Sequence, residues 1–133
     1  MRWYELRGLS TTPVVAQQGT FAPNDGQHRW MGSIAQDRAK NMTVGYSISG
    51  PNLFPGIRYT GRLATDPLNT LPQGEGVIVN GTGAQTVSAR WGDYTSMNID
   101  PADDCSYWYV NEYYAASGGT WRTRIGHFRY PTC

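Results

Sequence analysis

The chain has 133 residues and carries ten arginines and one lysine, Lys40, against ten acidic residues, for a net charge of +1. That length supports one domain with a real core. The near-neutral balance excludes the net basic surface that a phosphate-backbone binder needs, so no nucleic-acid partner is expected. No apolar run approaches the roughly 18 residues of a membrane-spanning helix. Arginine without lysine points to planar, hydrogen-bonded or stacked use of the charge. Five Trp, nine Tyr and three Phe suit β-sheets and ligand surfaces alike.

The pattern predicts short strands throughout and no helix of ten or more residues. Residues 2–7 (RWYELR) and 12–17 (TPVVAQ) read as a strand pair. A loop over 19–28 follows, with Asn24-Asp25-Gly26 as turn residues. Residues 31–36 form a strand and 37–41 a turn. In 42–49, Met42, Val44, Tyr46 and Ile48 alternate with Thr43, Gly45, Ser47 and Ser49, the period of a half-buried strand. Strands at 56–63 and 77–79 follow, separated by a loop with Pro67 and Pro72. The last part gives strands at 94–100, 106–114 and 121–129, with a turn at Pro101 to Asp104.

The chain states nearly the same thing twice. RWMGSIAQD, NMTVGYSIS and GIRYTGR in 29–62 recur as RWGDYTSMNID, CSYWYVNEYY and WRTRIGHFR in 90–129, with the Arg-Trp anchors 61 residues apart. The head of the chain, RWYELR then TPVVAQQGTF, echoes IRYTGRL then GEGVIVNGTG. The chain therefore divides into a partial unit (1–28), a repeat unit (29–89) and a second repeat unit (90–133), together one β-repeat domain. Units of this length made of short strands predict an all-β fold of antiparallel, four-stranded, propeller-like blades, about two repeats per chain. A stack of so few sheets leaves faces and edges open. This predicts a homo-oligomer closing one ring, a trimer for instance, or a piece of a longer propeller, or a compact sandwich.

Cys105 and Cys133 favour a disulfide that closes the last unit over two free thiols. Asn41-Met42-Thr43 and Asn80-Gly81-Thr82 fit the glycosylation tripeptide. The chain opens on strand-like sequence with no signal segment. The disulfide and the tripeptides predict an exported protein whose targeting segment lies outside this sequence.

The stretches RWMGSIAQDRAKNMTVGYSIS and RWGDYTSMNIDPADDCSYWYVNEYY resemble the terminal blades of secreted bacterial β-propeller proteins of the sialidase-like, BNR-repeat kind, over almost the whole chain from Trp3 to Cys133. Ser33 and Asp37 are spaced too widely for the Asp box of that kind. The resemblance therefore implies the fold and the secreted setting, and no activity.

Candidate site residues follow from chemistry. The repeated pairs Arg29-Trp30 and Arg90-Trp91 suit a carbohydrate site, where a ring packs on a pyranose face and Arg or a carboxylate such as Glu112 bonds hydroxyls. The competing reading makes both tryptophans blade-to-blade core. Glu112 with Tyr113 would be the acid and nucleophile of a sialidase-like site, with Arg58, Arg62, Arg122 and Arg124 to grip a substrate carboxylate. Asp37 and Asp100 read as turn caps. Asp100, Asp103 and Asp104 offer oxygen ligands for calcium, though their spacing fits no complete calcium loop. No cofactor is implied. The expected function is an extracellular carbohydrate-binding, lectin-like module. The alternatives are a fragment of a glycosidase-like propeller and a structural, filament-forming surface protein.

Overall fold

The computed structural model describes residues 1–133 as nine β-strands and no helix. No helix is therefore long and apolar enough to cross a membrane. β1 (Arg2–Arg7) and β2 (Val14–Thr20) form a two-stranded sheet. β3 (His28–Gln36), β4 (Met42–Gly50), β5 (Leu53–Arg62) and β6 (Gly76–Val79) form a four-stranded meander in chain order. β7 (Ser96–Ile99), β8 (Tyr107–Tyr113) and β9 (Arg122–Phe128) form a three-stranded one. Every strand pair is antiparallel.

Several strands begin or end a few residues from where the pattern put them. β2 runs on to Thr20, through Gly19, because Gly19 lies against the Trp3 indole and the Asn69 carbonyl. A Cβ there would sit 2.5 Å from that carbonyl oxygen. β3 starts at His28, three residues early, since Arg29 and Trp30 pair with Ile48 and Ser47 of β4. Its ladder breaks between Trp30 and Ser33, where Met31 takes a φ of 52°. That bulge re-aims the strand.

The three sheets stack as layers with the four-stranded sheet in the middle. β4 is buried along both faces from Met42 to Ile48. Met42, Val44 and Tyr46 pack with Trp3 and Leu71 on the β1–β2 side. On the other side Ile57 joins Met97, Tyr107 and Tyr109. Each fully buried side chain of this size contributes about 1.5–3 kcal/mol. Gly45 is required by the second layer: a Cβ there would lie 2.5 Å from the Tyr109 ring. Tyr59 stacks on Phe128 at 4.1 Å between centroids, and Phe128 stacks on Tyr107 at 5.5 Å. Polar contacts fix the register between layers. The Met97 N–H donates to Ser33 Oγ at 2.9 Å, and Tyr107 Oη donates to the Asn41 carbonyl at 2.8 Å.

The first turn of each repeat unit is closed by an aspartate N–H, over residues 37–41 in one and the longer stretch 100–106 in the other. Asp37 N–H donates to the Asn41 carbonyl and Asp100 N–H to that of Ser106, at 3.0 and 2.8 Å. Counting from those contacts, Met42 matches Tyr107, Val44 matches Tyr109 and Ser47 matches Glu112. The matched rows face the same way: Met42 and Val44 look back toward β1–β2, as Tyr107 and Tyr109 look back toward the middle sheet. A disulfide joins Cys105 to Cys133, with 5.6 Å between Cα atoms and a sequence separation of 28. A loop of that size is worth about 3.5 kcal/mol in the chain-entropy account.

Both ends of the stack keep uncovered apolar side chains. Tyr4, Leu6 and Val15 are exposed on the β1–β2 sheet, and Trp108 and Ile125 on the β7–β9 sheet.

Candidate functional site

The loop before β7, the end of β8 and the start of β9 meet at one end of the three-stranded sheet around a cavity of about 590 Å³. Its walls include Trp91, Tyr94, Tyr114 and Trp121, with Arg90, Asp93 and Glu112 as charged groups. The two loops that frame it are tied together. Thr86 N–H donates to the Gly118 carbonyl at 3.1 Å, and Gly118 N–H to that of Ala84 at 3.0 Å. Gln85 Nε2 donates to the Arg90 carbonyl and to Tyr114 Oη, at 2.6 and 3.0 Å. Gly92, with a φ of 55°, turns the loop so that its N–H donates to Glu112 Oε2 at 2.9 Å. The other oxygen of Glu112, Oε1, is buried with no hydrogen-bond partner. Tyr94 is 96% exposed and Trp121 59%. Arg90 pairs with Asp93 at 2.8 Å on the rim.

Of the residues expected to bind a ligand, Arg90, Trp91 and Glu112 line this cavity and Arg29 and Trp30 do not. The two Arg-Trp pairs do not make two equivalent sites. Trp30 meets Trp91 edge to face at 5.9 Å, so the tryptophans touch each other across the layers. Trp91 also stacks on Tyr114 at 5.5 Å, and its indole N–H donates to Ser47 Oγ at 2.9 Å. Trp91 is thus half-buried packing and half cavity wall. Arg29 is enclosed, with 3% of its side chain exposed, and forks onto Asp25 at 2.6 Å and Glu75 at 2.7 Å. Tyr46 Oη donates to Glu75 as well. This network shifts its members. The Arg29 guanidinium lowers Asp25 to about 2 and also lowers Glu75, while burial and then Glu75 raise Tyr46.

The residues considered for glycosidase chemistry do not gather. Glu112 and Tyr113 are neighbours on β8 and so project to opposite faces of the sheet. Arg58 is buried and donates to the carbonyls of Ile57 and Val79 and to Asn80 Oδ1. Burial lowers its pKa. Arg62 is 2% exposed and donates to the Asp66 carbonyl at 2.6 Å. Arg122 and Arg124 are exposed on β9, paired with Tyr113 and Asn111.

The aspartates of the second turn spend their oxygens on it. Asp100 accepts from the Ala102 N–H and the Trp108 indole, at 2.9 and 3.0 Å, and both donors lower its pKa. Asp103 accepts from the N–H groups of Cys105 and Ser106, which hold it at about 2. Asp104, at a φ of 52°, completes the turn. No group of three or more His, Cys, Asp or Glu side chains has metal-holding geometry. Asn41 is 1% exposed and bonded to Asp37, so of the two glycosylation tripeptides only Asn80 is at the surface.

Sequence reasoning missed Tyr94, Trp121 and Asp93. The available signal was a large aromatic in a loop, one directly after RWGD and one just past Gly118-Gly119. No protein family, curated protein or solved structure matches this chain.

Proposed function

We propose that this chain is an extracellular carbohydrate-binding module, whose three sheets are successive blades of a propeller-type stack. The aromatic groove of the last sheet is its ligand site. The carrying observation is the groove itself: exposed Tyr94 and Trp121 stand beside Trp91, with Arg90, Asp93 and Glu112 within the same cavity. Flat rings pack against the apolar faces of pyranoses, and charged side chains bond their hydroxyls. The blade reading draws support from strand counts of two, four and three, from turns closed by the N–H of Asp37 and of Asp100, and from layers that face the same way. The sequence resemblance to sialidase-like, BNR-repeat propellers fits both the blades and the secreted setting, and the disulfide is compatible with the latter.

The test is a glycan panel read with the native chain and with Trp121→Ala. Trp121 is the better probe than Trp91 because it is exposed and carries little of the packing. Loss of glycan binding with an unchanged unfolding midpoint supports the reading. A chain that binds no glycan refutes it.

Self-assembly through the end faces is a second reading, favoured by the uncovered Tyr4, Leu6, Trp108 and Ile125. Native mass in solution decides it. A trimer or another small closed number supports a ring built from copies of the chain, an open series supports a filament, and a monomer at high concentration removes both.

A further inference from the structure

We propose that the groove selects cationic amino sugars, glucosamine-type residues with a free amine, over N-acetylated or acidic ones. The inference rests on the carbohydrate reading and sharpens its ligand class. Its first support is charge. The groove holds two carboxylates, Asp93 and Glu112, against one guanidinium, Arg90. Arg90 is already paired with Asp93 at 2.8 Å, so the uncompensated charge is that of Glu112. One oxygen of Glu112 accepts the Gly92 N–H, and the other is buried without a partner. Negative potential at the wall of a cavity is focused by its low-dielectric surroundings and attracts a cation.

The second support is independent of the carboxylates. Trp91, Tyr94, Tyr114 and Trp121 all line the one cavity. Ring faces carry negative quadrupole density, and an ammonium held among several of them is the arrangement aromatic cages use. A sugar amine in the groove would therefore lie among aromatic walls and within the field of the Glu112 carboxylate. An acetamido group presents neither charge nor ammonium hydrogens. A uronic or sialic carboxylate would be opposed by Glu112, with the only groove cation already committed. Trp91 and Tyr114 stack at 5.5 Å, which holds that wall rigid before a ligand arrives.

The experiment is isothermal titration of the full chain with three oligosaccharides of equal length: a β-1,4 glucosamine tetramer, its fully N-acetylated form and a galacturonate tetramer. The buffer is about pH 6, where the sugar amine carries its proton. The expected result is at least about tenfold tighter binding of the free-amine tetramer, the scale of attraction to a nearby carboxylate combined with cation–π attraction. Glu112→Gln should lose about that factor for the free-amine ligand and change little for the acetylated one. Trp121→Ala, at an exposed position, should weaken the free-amine ligand with the same unfolding midpoint as the parent. Equal or tighter binding of the acetylated or acidic tetramer overturns this inference and leaves carbohydrate binding in place. No binding of any of the three, nor of any member of a wider glycan panel, overturns both.

Discussion

Trp91 is both packing and cavity wall, and removing it tests the packing. Its indole N–H donates to Ser47 Oγ at 2.9 Å, its ring stacks on Tyr114 at 5.5 Å and meets Trp30 edge to face at 5.9 Å. A hydrogen bond of this kind contributes about 1 kcal/mol net. Each aromatic pair adds about 0.5–1.5 kcal/mol beyond buried area. Trp91→Ala should therefore cost about 3 kcal/mol, the lower end of what buried Trp→Ala changes cost, because the ring is only half enclosed. For a domain of this length that is a fall in the unfolding midpoint of about 10 °C. Trp91→Phe keeps an aromatic ring but loses the N–H and part of the indole's volume, so its cost should fall between about 1 kcal/mol and that of the alanine variant. The assay is thermal unfolding by circular dichroism with urea titrations at 25 °C. An alanine variant that melts with the parent refutes the claim that Trp91 ties the β7–β9 layer to the middle sheet.

Three further outcomes follow from the layers. Gly45→Val pushes methyl groups into the Tyr109 ring, already 2.5 Å from where a Cβ would stand, and should cost about 1–3 kcal/mol in urea unfolding. Reduction, or Cys133→Ser, opens the loop closed by Cys105 and should lower stability by up to about 3.5 kcal/mol, read as a lower urea midpoint with and without reductant. The Arg29 network gives a pH dependence. Asp25 is lowered to about 2 and Glu75 is lowered too, each mainly by Arg29. Groups depressed in the folded state contribute stability that is present above their ordinary values near pH 4 and lost as pH falls toward about 2. Melting midpoints should drop through that window. In Arg29→Met they should be lower at pH 7 and flatter with acid, and an unchanged slope would count against the network.

The fold was legible where one residue type decided the geometry. The alternation Met42, Val44, Tyr46, Ile48 reads as a strand, and the strand is there. The same stretch hid its second buried face. Thr43, Gly45 and Ser47 look like solvent-facing positions, yet all three are buried, because Tyr109, Asn111 and Tyr130 of the last unit come down on them. Period-two patterning reports which side chains are apolar. It does not report that small and hydroxyl-bearing ones are needed to admit a neighbour's ring. The arginines were misleading for a related reason. Arg29 and Arg90 stand in the same motif, but Glu75 reaches Arg29 from a loop 46 residues away and takes it out of reach of a ligand, while Arg90 stays at a rim. That long-range partner leaves no local signal. The pattern puts the groove aromatics Tyr94 and Trp121 at the first positions of strands, whereas those strands begin at Ser96 and Arg122 and both rings stand in the loops before them.

The repeat's own divergence locates where its two units do different work. Ser47 and Glu112 each stand six residues past the residue whose carbonyl closes the turn, Asn41 and Ser106. Ser47 Oγ lies between layers and accepts from the Trp91 indole and the Asn111 amide, at 2.9 and 3.0 Å. Glu112 lies where no further layer of this chain comes down, and it lines the groove instead. A serine suffices where the donors are fixed by packing. Under the proposed function, the longer acidic side chain at the matched position supplies charge to a ligand in the groove. The two positions should therefore answer oppositely to substitution. Ser47→Ala strands two donors, one of them deeply buried, and should cost about 2 kcal/mol or more of stability. Glu112→Ser, which installs the residue of the matched position, should cost less stability than Ser47→Ala while weakening ligand binding more. Parallel unfolding and titration of the two variants measures both quantities. If Glu112→Ser proves the more destabilising of the pair and leaves binding intact, Glu112 is a packing residue and supplies no charge to a ligand.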